Sequence, residues 1–167
     1  ISAGRLPFAL QASDYSSIGP TLGAGALENS VLAAGIGLLI IAVLMIILYR
    51  LPGLVSVVSL AFYVSIVGLI LAIFEVNLSL PGIAGIILSI GMAVDANVVI
   101  FERIKAELRL GKSTMAAVKS GFSKAITAVL DSNITTIIAA IVLLVFGTGT
   151  IKGFAITLLI GVIVSLI

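Results

Sequence analysis

Two carboxylates stand among apolar neighbours: Asp95 in "GMAVDANVVIFERIKAELRLGK" (residues 91–112) and Asp131 in "AVLDSNITTIIAA" (residues 128–140). A carboxyl group so placed can exchange a proton, pair with a cation or hydrogen-bond to another helix. Left bare and charged in hydrocarbon, it costs at least about 2.5 kcal/mol. The residues that share a helical stripe with Asp95, namely Leu88, Gly91, Met92, Val98 and Val99, offer it almost no hydrogen bond. Its partner is therefore expected from another helix or another chain. Around Asp131 the pattern differs, because Thr127 and Thr135 flank it at four-residue spacing, with Ser132 and Thr136 alongside. Two readings stay open for the cluster Asp131, Asn133, Thr135 and Thr136: part of a relay, or hydrogen-bonding glue between helices.

The helix that carries Asp95 has a second ridge, Gly85, Ser89, Ala93 and Asn97, at strict four-residue spacing. Small residues at that spacing let another backbone come close, so this is read as a helix-packing face. Asn97 lies about 200° round the helix from Asp95. Asp95 is accordingly expected to point away from its own bundle, and Asn133 stands in the same relation to Asp131.

Other chemistry is excluded or weak. With no Cys and no His, thiol catalysis, disulfides and the common zinc sites are ruled out within these residues, and no metal or cofactor is expected. "GKST" at 111–114 resembles the end of a phosphate-binding loop, but the glycine required five residues earlier is Ala106. "NIT" at 133–135 matches a glycosylation sequon inside an apolar run. Paired intramembrane aspartates can share a proton and activate water, as in a protease. Here Asp95 follows Val94 and Asp131 follows Leu130, without the Tyr-Asp and Gly-x-Gly-Asp contexts of intramembrane aspartyl proteases. Proteolysis remains an alternative only, and no enzymatic activity is expected.

These residues must be held by membrane helices. Of 167 residues, 61% are hydrophobic and 10% charged, too little polar material to cover a soluble domain. The mean hydropathy is +1.39. About 20 apolar residues of helix cross a bilayer core. Spans are predicted at about 29–49, 54–75, 82–102, 124–147 and 153–167. The fold class is thus an all-α membrane protein, a polytopic helical bundle. Residues 1–28, with Pro7 and Pro20, read as the end of an outer region leading into the first span. The first residue is Ile, and the last apolar run stops midway, so both ends read as cuts in a longer protein.

Counted at 1.5 Å per residue, Asp95 lies about 10 Å in from Glu102 and Asp131 about 10 Å in from Lys124, at similar depth on consecutive antiparallel helices. Orientation follows from the basic residues, which concentrate in cytoplasmic loops. Arg50, Arg103, Lys105, Arg109, Lys112, Lys119 and Lys124, seven of nine, fall on one side, leaving Arg5 and Lys152 on the other. The N-terminal end is therefore outside. The net charge of +2 is too small to indicate a nucleic-acid partner. The inner loop 103–123 is expected to form an amphipathic pair of surface helices. Ile104 and Leu108 would be the apolar side of the first, Gly111 its end, Ser113 the cap of the second, and Met115, Val118 and Phe122 the second's apolar side.

Residues 78–113 ("LSLPGIAGIILSIGMAVDANVVIFERIKAELRLGKS"), 131–162 ("DSNITTIIAAIVLLVFGTGTIKGFAITLLIGV") and "IGPTLG" at 18–23 resemble the C-terminal membrane region of the SecD/SecF family, on its SecD side. These are accessory subunits of bacterial Sec protein export, and they are similar to the membrane halves of resistance-nodulation-division pumps. The resemblance implies an RND-like half in which five of six transmembrane helices are present. It implies an inner-membrane location and use of the proton gradient in late steps of preprotein translocation. SecF, separate or fused, and the Sec translocon would be partners, and the preprotein would be met through an outer region absent here. The family's proton-relay aspartate falls on Asp95 in "VDAN". Its partners in the relay belong to SecF-type helices and have no counterpart in this chain. The stretch alone is not expected to export anything, and a scaffold that conducts no protons is the rival reading.

The topology is directly testable. A cysteine at Lys112 should react with impermeant reagents only from the cytoplasmic side, and one at Thr148 only from outside; the reverse labelling would overturn the orientation.

Overall fold

Proline and glycine mark where the helices begin and turn. In the computed structural model, residues 20–76 and 78–166 are described; the expected lead-in through residue 19, with Arg5 and Pro7, lies outside them, as do Asn77 and Ile167. Five helices follow one another: α1 Pro20–Tyr49, α2 Leu51–Ile73, α3 Leu80–Arg109, α4 Thr114–Phe146 and α5 Thr150–Ser165. No strand occurs among the described residues. α2 and α3 each carry proline in the first turn, where its missing N–H is not needed. Ser79 caps α3, its hydroxyl accepting from the Gly82 amide at 3.2 Å.

Helices α1 to α4 are long and apolar enough to cross a membrane, whereas α5, at 16 residues, is apolar but shorter. Large apolar side chains such as Leu39, Ile47, Phe62, Leu69 and Val145 face outward on α1, α2 and α4. That is the surface a lipid solvent requires, and the chain is a multi-pass membrane protein.

Residues 103–123 do not form a loop with its own helices. α3 runs on to Arg109 and α4 starts at Thr114, so the expected surface pair is a prolongation of the two spans, joined by a turn at 110–113. The reason is local: residues 101–109 contain good helix formers and no Gly or Pro, and the first break is Gly111 at φ 80°. Ser113 does stand at the start of α4, although its side chain makes no capping bond. The packed side also differs from the expected one. Ala117, Gly121 and Ala125 are buried, whereas Leu108, Met115, Val118 and Phe122 are exposed. Small residues win that face because the backbones nearly touch: a methyl group on Gly121 would lie 2.7 Å from the Ile104 Cα.

The same helical end is held by charge. Glu107, 4% exposed, receives Lys124 Nζ on Oε1 at 2.6 Å and pairs with the Lys112 ammonium through Oε2. Lys112 also donates to Ser120 Oγ at 3.0 Å. Lys112 first, then Lys124, hold the Glu107 carboxyl down to about 2 from an ordinary 4.5, against burial, which raises it. Nearby, Tyr49 OH donates to Glu102 Oε1 at 3.0 Å, tying α1 to α3, and Lys105 sits 4.2 Å above the Tyr49 ring.

α3 touches all four other helices and is the centre of the bundle. One core lies between α1, α2 and α3, around Met45, Tyr63, Val67 and Ile90, with Val164 of α5 reaching into it; a smaller one joins α4 to α5 at Ala140, Leu158 and Val162.

Two consequences are measurable in the full-length protein in detergent. Gly121→Ala should destabilise the bundle by about 1–3 kcal/mol, because α3 and α4 must part. The Glu107 pairs stabilise the fold above pH 4.5, and their contribution disappears as pH falls towards about 2. A thermal melting series should therefore show a drop across that window which is smaller in Glu107→Gln; equal pH dependence in both proteins would show that the clasp carries no stability.

Candidate functional site

The direction in which Asp95 points is set by how α3 lies on α5. A methyl group at Gly85 would sit 2.9 Å from the Phe154 carbonyl oxygen and collide with the Thr157 hydroxyl. Thr157 is wholly buried, with its hydroxyl 2.9 Å from the Gly82 carbonyl across the interface. One turn further in, Ser89 is 1% exposed, and a methyl on Gly161 would collide with it. Ser89 Oγ donates to the Ile86 carbonyl at 2.8 Å and accepts from Tyr63 OH at 2.9 Å, and that hydroxyl also lies 3.1 Å from the Gly161 carbonyl. Gly85 and Ser89 thus face α5, with Tyr63 of α2 closing the contact. Ala93 is half-buried against the core of α1–α3, and Asn97 donates to the Ala93 carbonyl at 3.3 Å.

Asp95 is six residues beyond Ser89, about 240° round the helix, and it emerges on the side of α4. Its residue is exposed, and among the described residues its carboxylate has no hydrogen bond or ion pair. It lines a cleft of 60 Å³ between α3 and α4 with Met92, Ala96, Val99, Ala128, Val129, Ser132 and Asn133. Asn133 is 5% exposed, and its side-chain amide has no hydrogen-bond partner among the described residues. Thr136 donates to the Ser132 carbonyl at 3.0 Å, and its hydroxyl lies 3.8 Å from the Met92 sulfur at the same contact.

Asp131 is not part of this cleft. It is exposed on α4, as are Thr127 and Thr135, and Thr135 donates to the Asp131 backbone carbonyl at 2.8 Å. The structure brings Asp95 to Asn133 and Ser132, and it does not bring the two aspartates to one space. Asn97 opens on a different, larger cleft of 440 Å³ among α2, α3, α4 and α5. Ala96 and Val129 line both clefts and form the wall between them.

Sequence reasoning missed Tyr63, the partners on α5 and the buried Glu107. The α5 partners had a visible signal: Gly153, Thr157, Gly161 and Ser165 repeat at four-residue spacing, the same period as the ridge on α3.

Residues 5–167 match the family described as protein export membrane protein SecD/SecF, C-terminal. The chain is 48% identical over 166 residues to the protein translocase subunit SecD of Synechocystis sp., covering 99% of this chain and 35% of that protein. It is 50% identical over 166 residues to the SecD subunit of Acidaminococcus fermentans, covering 99% of this chain and 40% of that protein. Its fold is similar to the crystal structure of SecDF, a translocon-associated membrane protein from Thermus thermophilus, with a TM-score of 0.85 at 41% identity over 90% of this chain and 21% of that one. The chain therefore spans well under half the length of these relatives.

Proposed function

Because the chain belongs to the SecD/SecF family of protein-export membrane proteins, we propose that it is the membrane-embedded part of a SecD subunit and that Asp95 is its proton-responsive group. In this reading the subunit sits in the bacterial inner membrane with the N-terminal end of this stretch outside. It works beside SecF and the Sec translocon, and uses the proton gradient to promote late steps of preprotein translocation. The observation that carries the reading is the state of Asp95: an exposed carboxylate in an apolar span, set at the cleft between α3 and α4 rather than turned away from its own bundle as expected, and unpartnered among the described residues.

The physical logic is a two-state switch. A cation supplied by SecF would hold the ionised carboxylate in one arrangement, and protonation would release it, so the charge state selects the conformation. Asp131, also exposed, differs in its neighbours: Thr127 and Thr135 at four-residue spacing and Ser132 beside it carry hydroxyls able to bond an amide as well as an acid.

In the full-length protein with SecF, Asp95→Asn should insert and assemble normally yet abolish the gradient-dependent part of export. Asp95→Glu should retain some activity, and Asp131→Asn should be milder than Asp95→Asn. Secretion in cells and gradient-dependent completion of translocation in vesicles are the measurements. A dead Asp131→Asn beside an active Asp95→Asn would move the switch to the other carboxylate; two active variants would leave a scaffold that conducts no protons.

A further inference from the structure

We propose that the cleft between α3 and α4 is a water site joining the Asn133 amide to the Asp95 carboxylate, which makes Asn133 the residue that positions the proton Asp95 exchanges. The proposal rests on the reading of Asp95 as the proton-responsive group, and adds a ligand and a second residue to it.

The argument starts from Asn133. It is 5% exposed and has no hydrogen-bond partner for its side-chain amide among the described residues. The residue is largely covered, yet its amide atoms are not among the sealed, unpartnered polar atoms, so they keep surface that a water can reach, and an amide in an apolar span without a protein partner is best satisfied by such a water. The adjoining cleft supplies the room. Its 60 Å³ exceed the roughly 10–15 Å³ that one water needs. A buried water needs two to four polar partners, roughly, and the lining provides them on one side only: the Asp95 carboxylate, the Asn133 amide and the Ser132 hydroxyl. The remaining lining, Met92, Ala96, Val99, Ala128 and Val129, offers only the weak thioether acceptor, so water is confined to the strip between Asp95 and Asn133.

An amide suits this position better than a second acid. Its N–H₂ donates towards an ionised Asp95 through the water, and its carbonyl accepts when Asp95 is protonated, while its own charge stays at zero. The step balances simply: a hydronium O–H bond breaks, a carboxyl O–H bond forms on Asp95, and a neutral water is left hydrogen-bonded to Asn133; the reverse releases the proton. Asp95 is the one titratable residue in the lining. On α4, Asp131 is exposed and does not line the cleft; on α3, Glu102 and Arg103 lie about two turns further along, and on α5 the described charged residue is Lys152, in the first turn.

The test uses the full-length protein with SecF in lipid vesicles, read by infrared difference spectroscopy across a pH step and by gradient-dependent completion of translocation. In the wild type, a bound-water O–H band that shifts in H₂¹⁸O should change together with the carboxylic-acid band of Asp95. Asn133→Leu, which fills the space with methyl groups, should remove the water band and slow gradient-dependent completion on the order of tenfold. Asn133→Ser, smaller but still hydrogen-bonding, should keep the band and restore most of the rate, a rescue that packing alone would not give. If Asn133→Leu does not assemble, the wild-type band and Asn133→Ser decide the matter. A wild-type carboxyl band with no accompanying water band, or an Asn133→Leu protein that keeps both band and rate, overturns the water site. In the same assay, an Asp95→Asn control that leaves the carboxyl band and export untouched brings down the reading of Asp95 itself, and the water site with it.

Discussion

The near-contact of α3 and α5 is the constraint on which the rest depends. Between helices in hydrocarbon there is no hydrophobic force to draw them together, so association relies on backbones that can come close and on hydrogen bonds formed across the gap. Gly85 against Thr157 and Ser89 against Gly161 meet both needs. They also fix the rotation of α3 about its axis, and that matters more than the energy. A helix turns by about 100° per residue, so displacing the contact by one position would swing Asp95 off α4 altogether. The carboxylate faces the α3–α4 cleft because two glycines and two hydroxyls some turns away permit no other face to approach α5.

The carboxylates of α3 are treated in opposite ways. Glu107, beyond the apolar stretch, is buried and claimed by two lysines; Glu102 is claimed by Tyr49 and Lys105. Asp95, within the apolar stretch, is claimed by nothing among the described residues. Glu107, with each oxygen paired to a lysine, serves as a fastener at the end of α3. Asp95 instead offers both its oxygens to a partner.

Much of the architecture was legible from periodicity and punctuation. The apolar runs have bilayer length, "LPG" and "GTGTIKG" stand where helices turn, and the four-residue ridge of Gly85 and Ser89 marks a close approach. What stayed hidden is relational. An unbroken run of helix formers favours helix through 103–109, but charged residues beyond a span look alike whether they form a separate surface helix or the end of a long one. The distinction is made by Gly121 against Ile104, a contact between residues 17 positions apart. In the same way Asp131 and Asn133 are two residues apart in one motif, yet one faces outward and the other is buried against α3. Which of them meets Asp95 is decided by the rotation of α4, and that rotation is set by Ala117, Gly121 and Ala125.

The site is also thinly walled. Only Ala96 and Val129 are shared by the 60 Å³ cleft that holds Asp95 and the 440 Å³ cleft that holds Asn97. Towards its N-terminal end α3 is locked by Ser89, Gly161 and Tyr63, and towards the turn at 110–113 by Gly121 and the Glu107 clasp. The stretch between these anchors carries Asp95 and has open space on two faces, and Gly91 within it has no neighbour near the place a Cβ would occupy. Packed interiors resist continuous deformation, whereas a segment bordered by cavities between rigid anchors has somewhere to go.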